Sequence, residues 1–131
     1  MSETRKETLK RLFIENNLDK EDVFKHQHYT IITRAGIDKI QANIGIEIQY
    51  NVIECQPNFA VVQAMARIGD DNIIQTFGSA LKGKSFADGS TNSWYVIEMA
   101  EKRAMSRAVL KLAGFYSLGV FGEDESESFK K

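Results

Sequence analysis

The stretch IEIQYNVIECQPNFAVVQAMARIGDDNIIQTFGSAL, residues 46–81, decides the fold. Its first part alternates Ile46, Ile48, Tyr50 and Val52 with polar partners, the period of a half-buried strand. FAVVQAMARI (59–68) and NIIQTFGSAL (72–81) read as two further strands, and QPN and GDD stand between the three as hairpin turns. Three consecutive strands joined in this way form an antiparallel meander. A meander has a face that another element must cover.

The cover lies downstream. A polar loop, KGKSFADGSTNS (82–93), is followed by a run that keeps helical spacing from Trp94 to about Ala113. Asn92 or Ser93 caps it, and Gly114 occupies the C-terminal stop position. Trp94, Ile97, Ala100, Ala104, Met105, Ala108 and Leu112 share one arc of this helix, and its alanines let the backbone lie close to a sheet. Glu101 falls inside the same arc, where a charge requires a partner; Arg67 of the meander is the expected one. Met99 and Leu110 fall opposite the arc and face either the N-terminal helix or another subunit.

Upstream, Thr33 caps a helix that begins at Arg34, carries Ile37, Ile40 and Ile44, and ends at Gly45. YTII (29–32) is a brief strand, LDKEDVF (18–24) a second short helix, and ETRKETLKRLFIEN (3–16) a helix with Leu9, Leu12 and Phe13 on its apolar stripe. The expected class is α+β: an antiparallel three-strand meander covered by a long C-terminal helix, with N-terminal helices and a short extra strand. The expected division is an N-terminal helical segment (1–27), an α+β domain (28–122) and an acidic tail (123–131).

At 131 residues the chain has the length of one domain, and 43% hydrophobic with 27% charged residues is ordinary for a soluble globular protein. No apolar run approaches the roughly 20 residues needed to span a bilayer, and MSETRKETLKRLF lacks the apolar core of a signal peptide. Cys55 is the single cysteine, so the sequence holds no disulfide framework and no thiolate metal cage. A cytoplasmic setting is the expectation. The net charge of −1 is unevenly distributed. Over 94–122, Glu98 and Glu101 stand against Lys102, Arg103, Arg107 and Lys111; over 123–131, four carboxylates stand against Lys130 and Lys131. A local positive surplus is therefore followed by an acidic end.

Arg103, Arg107 and Lys111 are four apart and stack on one helical face. Like charges at this spacing repel by a few tenths of a kcal/mol per pair. A solvated face is one explanation of such a row, and an external anion is another.

The stretch YVIEMAEKRAMSRAVLKLAGFYSLGVFGED (95–124) resembles the C-terminal helix of the single-strand annealing proteins of homologous recombination, the superfamily of the phage Erf and Sak proteins and the eukaryotic mediator Rad-fifty-two. Ala100, Arg103, Ala104, Ala108 and the Ala113–Gly114 pair carry the likeness, followed by the acidic end. YTIITRAGIDKIQANIGIEI (29–48) resembles the segment ahead of the meander in the same proteins. The resemblance implies a helix-on-meander fold assembled into rings or arcs. It implies single-stranded DNA binding and strand annealing in recombination and DNA repair, with no ATP, cofactor, metal or catalytic residue, and with a phage exonuclease as a further partner.

Binding a single strand regardless of sequence takes cations to follow phosphates and planar groups to stack on bases. The candidate nucleic-acid contacts are Lys82 and Lys84 in the polar loop, Arg103, Arg107 and Lys111 on the long helix, and Arg34 and Lys39 on the helix before the meander. Phe86, Trp94 and Tyr95 are interleaved with the loop lysines, although Trp94 also suits the core. Enzymatic constellations are weaker. His26 and His28 lack a third ligand nearby, Cys55 lacks an evident histidine partner, and no P-loop or dinucleotide fingerprint occurs. Two other functions fit the order of elements: a double-stranded RNA-binding module, and a small-ligand or enzyme domain with Glu101 as a buried acid.

Overall fold

The computed structural model describes residues 4–26, 29–83 and 95–123. Helix α1 (Arg5–Glu15) starts where the Thr4 hydroxyl accepts from the backbone N–H of Glu7 at 3.2 Å. The second short helix expected over 18–24 is instead a single 3-10 turn, Lys20–Asp22, running into a strand, β1 (Val23–His26). Seven residues are too few to sustain an isolated helix. The Asp22 carboxylate closes the turn by accepting from the Asp19 N–H at 2.9 Å. Val23 and Phe24 then pair with Ile32 and Ile31 of β2 (Tyr29–Ile32). Thus the N-terminal segment contributes a strand as well as a helix.

Helix α2 (Arg34–Ile44) is bounded as its sequence signals predict. The Thr33 hydroxyl accepts from the Gly36 N–H at 3.1 Å, and Gly45 takes the left-handed conformation at φ 79°. The meander follows: β3 (Glu47–Gln56), β4 (Phe59–Ile68) and β5 (Asn72–Leu81), antiparallel with β4 central and a bulge between Val52 and Glu54. Helix α3 (Val96–Ala113) begins two residues later than the pattern suggests and ends on Gly114 at φ 88°. Beyond it, β6 (Val120–Gly122) pairs parallel to β2, giving a second three-stranded sheet in the order β1–β2–β6. No described helix is long and apolar enough to cross a membrane.

Small residues set the spacing of α3 over the meander. Ala60, Ala64, Ala66 and Ala80 of the strands and Ala100, Ala104 and Ala108 of the helix are fully buried. Gly78 marks the closest approach: a Cβ there would run into the Ala100 carbonyl and the Ala104 nitrogen. The Thr76 hydroxyl donates to the Ala104 carbonyl at 2.7 Å across the same interface. The larger side chains collect at the other end of α3, where Ile32, Ile37, Ile40, Val109, Leu110, Phe115 and Val120 form the main core. Leu110 meets the N-terminal helix through Leu9 and Leu12, and the Phe13 and Phe115 rings stack at 5.8 Å. Met99 packs against a smaller cluster built on Ala60, Val62 and Ala80. Leu110 is thus fully covered within the chain, while Met99 is half-buried.

Candidate nucleic-acid interface

Strand β5 is an outer strand of the meander, so one side of it has no β neighbour. Two arginines from α3 serve that side. Arg103 Nη1 donates to the Ser79 carbonyl and Arg107 Nη1 to the Phe77 carbonyl, each at 2.7 Å. The four-residue step on the helix matches the two-residue step on the strand: about 6 Å of rise along α3 against about 6.8 Å along β5. The cationic row seen in the sequence is therefore held first by the protein's own strand edge. Charge-assisted bonds to carbonyls offset the repulsion within the row.

The two arginines differ in access. Arg103 is buried, at 5% exposure, and offers a ligand electrostatic potential rather than a contact. Arg107 is half-buried. Lys111 continues the row but lies over the Tyr116 ring, 5.3 Å from its centroid. Lys82 follows β5 directly; its backbone N–H donates to the Asn58 carbonyl at 2.7 Å, at the end of the strand nearest the start of α3. Lys84, Phe86 and Trp94 lie outside the described residues.

Lys39 of α2 is held by the protein's own acids. Lys39 Nζ sits 2.6 Å from an Asp22 carboxylate oxygen and 3.3 Å from one of Asp19. The hydrogen bond from Lys39 holds the Asp22 carboxyl below its ordinary value, helped by the Asp19 N–H, and the same bond to Asp22 raises Lys39. Arg34 stands at the start of α2, where its backbone N–H donates to the Glu123 carboxylate at 3.1 Å. Helix α2 packs against α3, and Asp38 of the one and Glu101 of the other both act on Tyr50 of β3. Burial first, then those two negative charges, pushes the Tyr50 phenol above 10.0. Among the described candidates, Arg103 and Arg107 are therefore held at β5, whereas Lys39 is held by Asp19 and Asp22.

What the sequence reading missed is the sheet face turned away from α3. On β5 this face carries Ile73, Phe77 and Leu81, at 58%, 48% and 41% exposure, and Phe59 of β4 stands opposite Leu81. Amides lie between the apolar groups: Gln63 Nε2 donates to Gln75 Oε1 at 2.8 Å, and Gln63 stands opposite Phe77. An alternating strand signals that one set of side chains faces out. The buried set here is mostly alanine and glycine, so hydrophobicity alone points to the wrong face. Arg107 joins the two halves of the site, since the residue whose carbonyl it binds is the one whose ring is exposed.

Glu101 is exposed rather than buried, and Arg67 pairs with Glu47 of the neighbouring strand at 2.8 Å. The two expectations fail for separate reasons: Glu101 stands exposed on α3, and Arg67, opposite Ile73 of β5, lies on the sheet face turned away from that helix. An enzyme built on Glu101 as a buried acid has no buried acid to use. Cys55 is exposed on β3. No protein-family model matches the chain, and neither the curated proteins nor the solved structures give a match.

Proposed function

We propose that this chain binds single-stranded DNA without regard to sequence and, as an oligomer, promotes the pairing of complementary strands in phage-type homologous recombination. No chemical step is required of it, and the setting is cytoplasmic. The supporting observation is the contact between Arg107 and the Phe77 carbonyl, which sets a guanidinium at the edge of β5 while the Phe77 ring is exposed on the open sheet face. A single strand needs this pairing of groups, a cation for the phosphate and a flat apolar surface for the base. Lys82 extends the cationic side toward the polar loop, and Arg103 adds potential from beneath.

One subunit offers few such contacts. Repetition around a ring or arc would align them and convert weak local attachment into firm binding of a long strand. The test is a mass measurement by light scattering, with and without labelled oligothymidylate, across a salt series. Binding that weakens steeply with salt, on an assembly larger than one chain, supports the reading. A monomer without affinity at low salt removes it, and a preference for duplex RNA replaces it with an RNA-binding module.

A further inference from the structure

A groove of about 740 Å³ runs between α1 and β1, away from the interface just described. Val23, Phe24 and Lys25 of β1 all line it. Consecutive strand residues point to opposite faces, so a groove that meets all three follows the strand's edge. Among the described residues that edge has no strand beside it, because β1 is outermost in its sheet and pairs with β2 alone.

The charge of this groove is one-sided. Arg5, Lys6 and Lys10 enter from α1 and Lys25 from β1, and among the described residues no acidic side chain lines it. Lys6 and Lys10 are one turn apart, and none of Lys6, Lys10 and Lys25 forms an ion pair among the described residues. The acids of α1 lie round the helix, where Glu15 holds Arg11 and Glu7 holds Thr4. The floor is apolar, made by Leu9 and Phe13, with Phe24 39% exposed at the rim. Lysine on an open edge strand commonly discourages strand pairing between copies. Lys25 alone would do that; two further lysines from a separate helix are superfluous to it.

We infer that this groove docks an extended acidic peptide of a partner protein, added as a fourth strand on β1. Main-chain groups of the peptide would pair with the β1 edge, its carboxylates with Lys6, Lys10 and Lys25, and one apolar side chain with the floor near Phe24. Charge complementarity calls for an anion. The open strand edge selects a peptide over a nucleic acid, whose backbone has no alternating N–H and C=O groups to continue a sheet. The inference stands independently of strand binding at β5.

The test uses the full chain and a short labelled peptide of alternating Glu and Val with a central Phe, followed by fluorescence anisotropy at low and moderate salt. Saturable binding is expected, with slowed amide exchange at Val23–Lys25 when peptide is bound. The triple variant Lys6→Glu/Lys10→Glu/Lys25→Glu should bind about tenfold more weakly or worse, through reversed charge at three rim positions. Its oligothymidylate binding should stay unchanged. Phe24→Ala should weaken the peptide at both salt concentrations, since its contribution is apolar. Absence of peptide binding at low salt overturns the inference. So does equal binding of a peptide with Lys in place of Glu, or a triple variant that loses oligothymidylate and keeps the peptide.

Discussion

Arg107 Nη1 donates to the Phe77 carbonyl at 2.7 Å, while the Phe77 side chain stands on the opposite, open face of the sheet. One residue thereby receives a cation through its backbone and presents a ring through its side chain. Arg103 repeats the backbone contact two strand residues on, at the Ser79 carbonyl. The pair also closes the edge of β5 against other strands, because each bonded carbonyl is one less for a foreign strand to use. The arginine side chains of the cationic row are thus also the ones that protect the strand edge.

The first prediction separates those roles. Phe77→Ala should weaken oligothymidylate binding on the order of tenfold, the scale of one lost stacking contact, and Phe77→Trp should retain it. Arg107→Ala should reduce the slope of log K against log salt by about 0.7, one phosphate contact on a single strand. Anisotropy titrations over a salt series measure both. Unchanged affinity in Phe77→Ala would show that the open face is not where bases lie.

Arg103 should matter to stability more than to binding. Arg103→Ala leaves the Ser79 carbonyl without its donor and empties a buried site, at a cost of about 2–3 kcal/mol in urea unfolding. Arg107→Ala, at a half-buried position, should cost less than about 1.5 kcal/mol. The double variant uncovers the β5 edge and should aggregate at concentrations where either single variant stays dispersed, as read by light scattering. Full stability in Arg103→Ala would contradict the edge-capping role.

Two glycine substitutions should fail for different reasons. At Gly45, nothing lies within 4 Å of an added Cβ, but φ is +79°, so Gly45→Ala should cost roughly 1 kcal/mol in backbone conformation. At Gly78 the obstruction is space: the new methyl meets the backbone of Ala100 and Ala104, which no side-chain truncation can relieve. Gly78→Ala should cost at least about 3 kcal/mol by lifting α3 from the sheet and breaking the Thr76–Ala104 bond. Thermal unfolding of the two variants side by side tests the ranking.

The Asp22–Lys39 pair should give the fold an acid-sensitive component. Asp22 is depressed in the folded state, so its contribution is present above its ordinary value of 3.8 and is lost as pH falls through the lower folded value. Lys39 is raised, so its contribution is present below 10.5 and is lost as pH climbs past the higher folded value. Between these limits the pair is intact. Asp22→Asn should therefore lower the urea midpoint at neutral pH, and the gap from the parent should close in strong acid. A gap that persisted at low pH would mean that the variant disturbs packing rather than charge.

Local chemistry made much of this architecture readable. The bounds of β4 and β5 follow from turn residues, and those of α2 from Thr33 and Gly45, because caps and hairpin turns act within a few residues. The stop of α3 at Gly114 has the same origin. By contrast, β6 is three residues long and exists only by pairing with β2, some ninety positions earlier. β1 needs the same partner, so its residues could be mistaken for a helix.

The row Arg103–Arg107–Lys111 shows where the division falls. The sequence alone determined that three cations share one face of a helix, since helical periodicity fixes side-chain direction along a single element. Their destinations came from the tertiary structure: strand carbonyls for the first two and the Tyr116 ring for the third. So did the choice of open face on the meander, because alanine and glycine admit a helix closely and leave the larger side chains outside. Hydrogen bonds and steric contact act over a few ångströms, and only the folded chain decides which distant residues come that near.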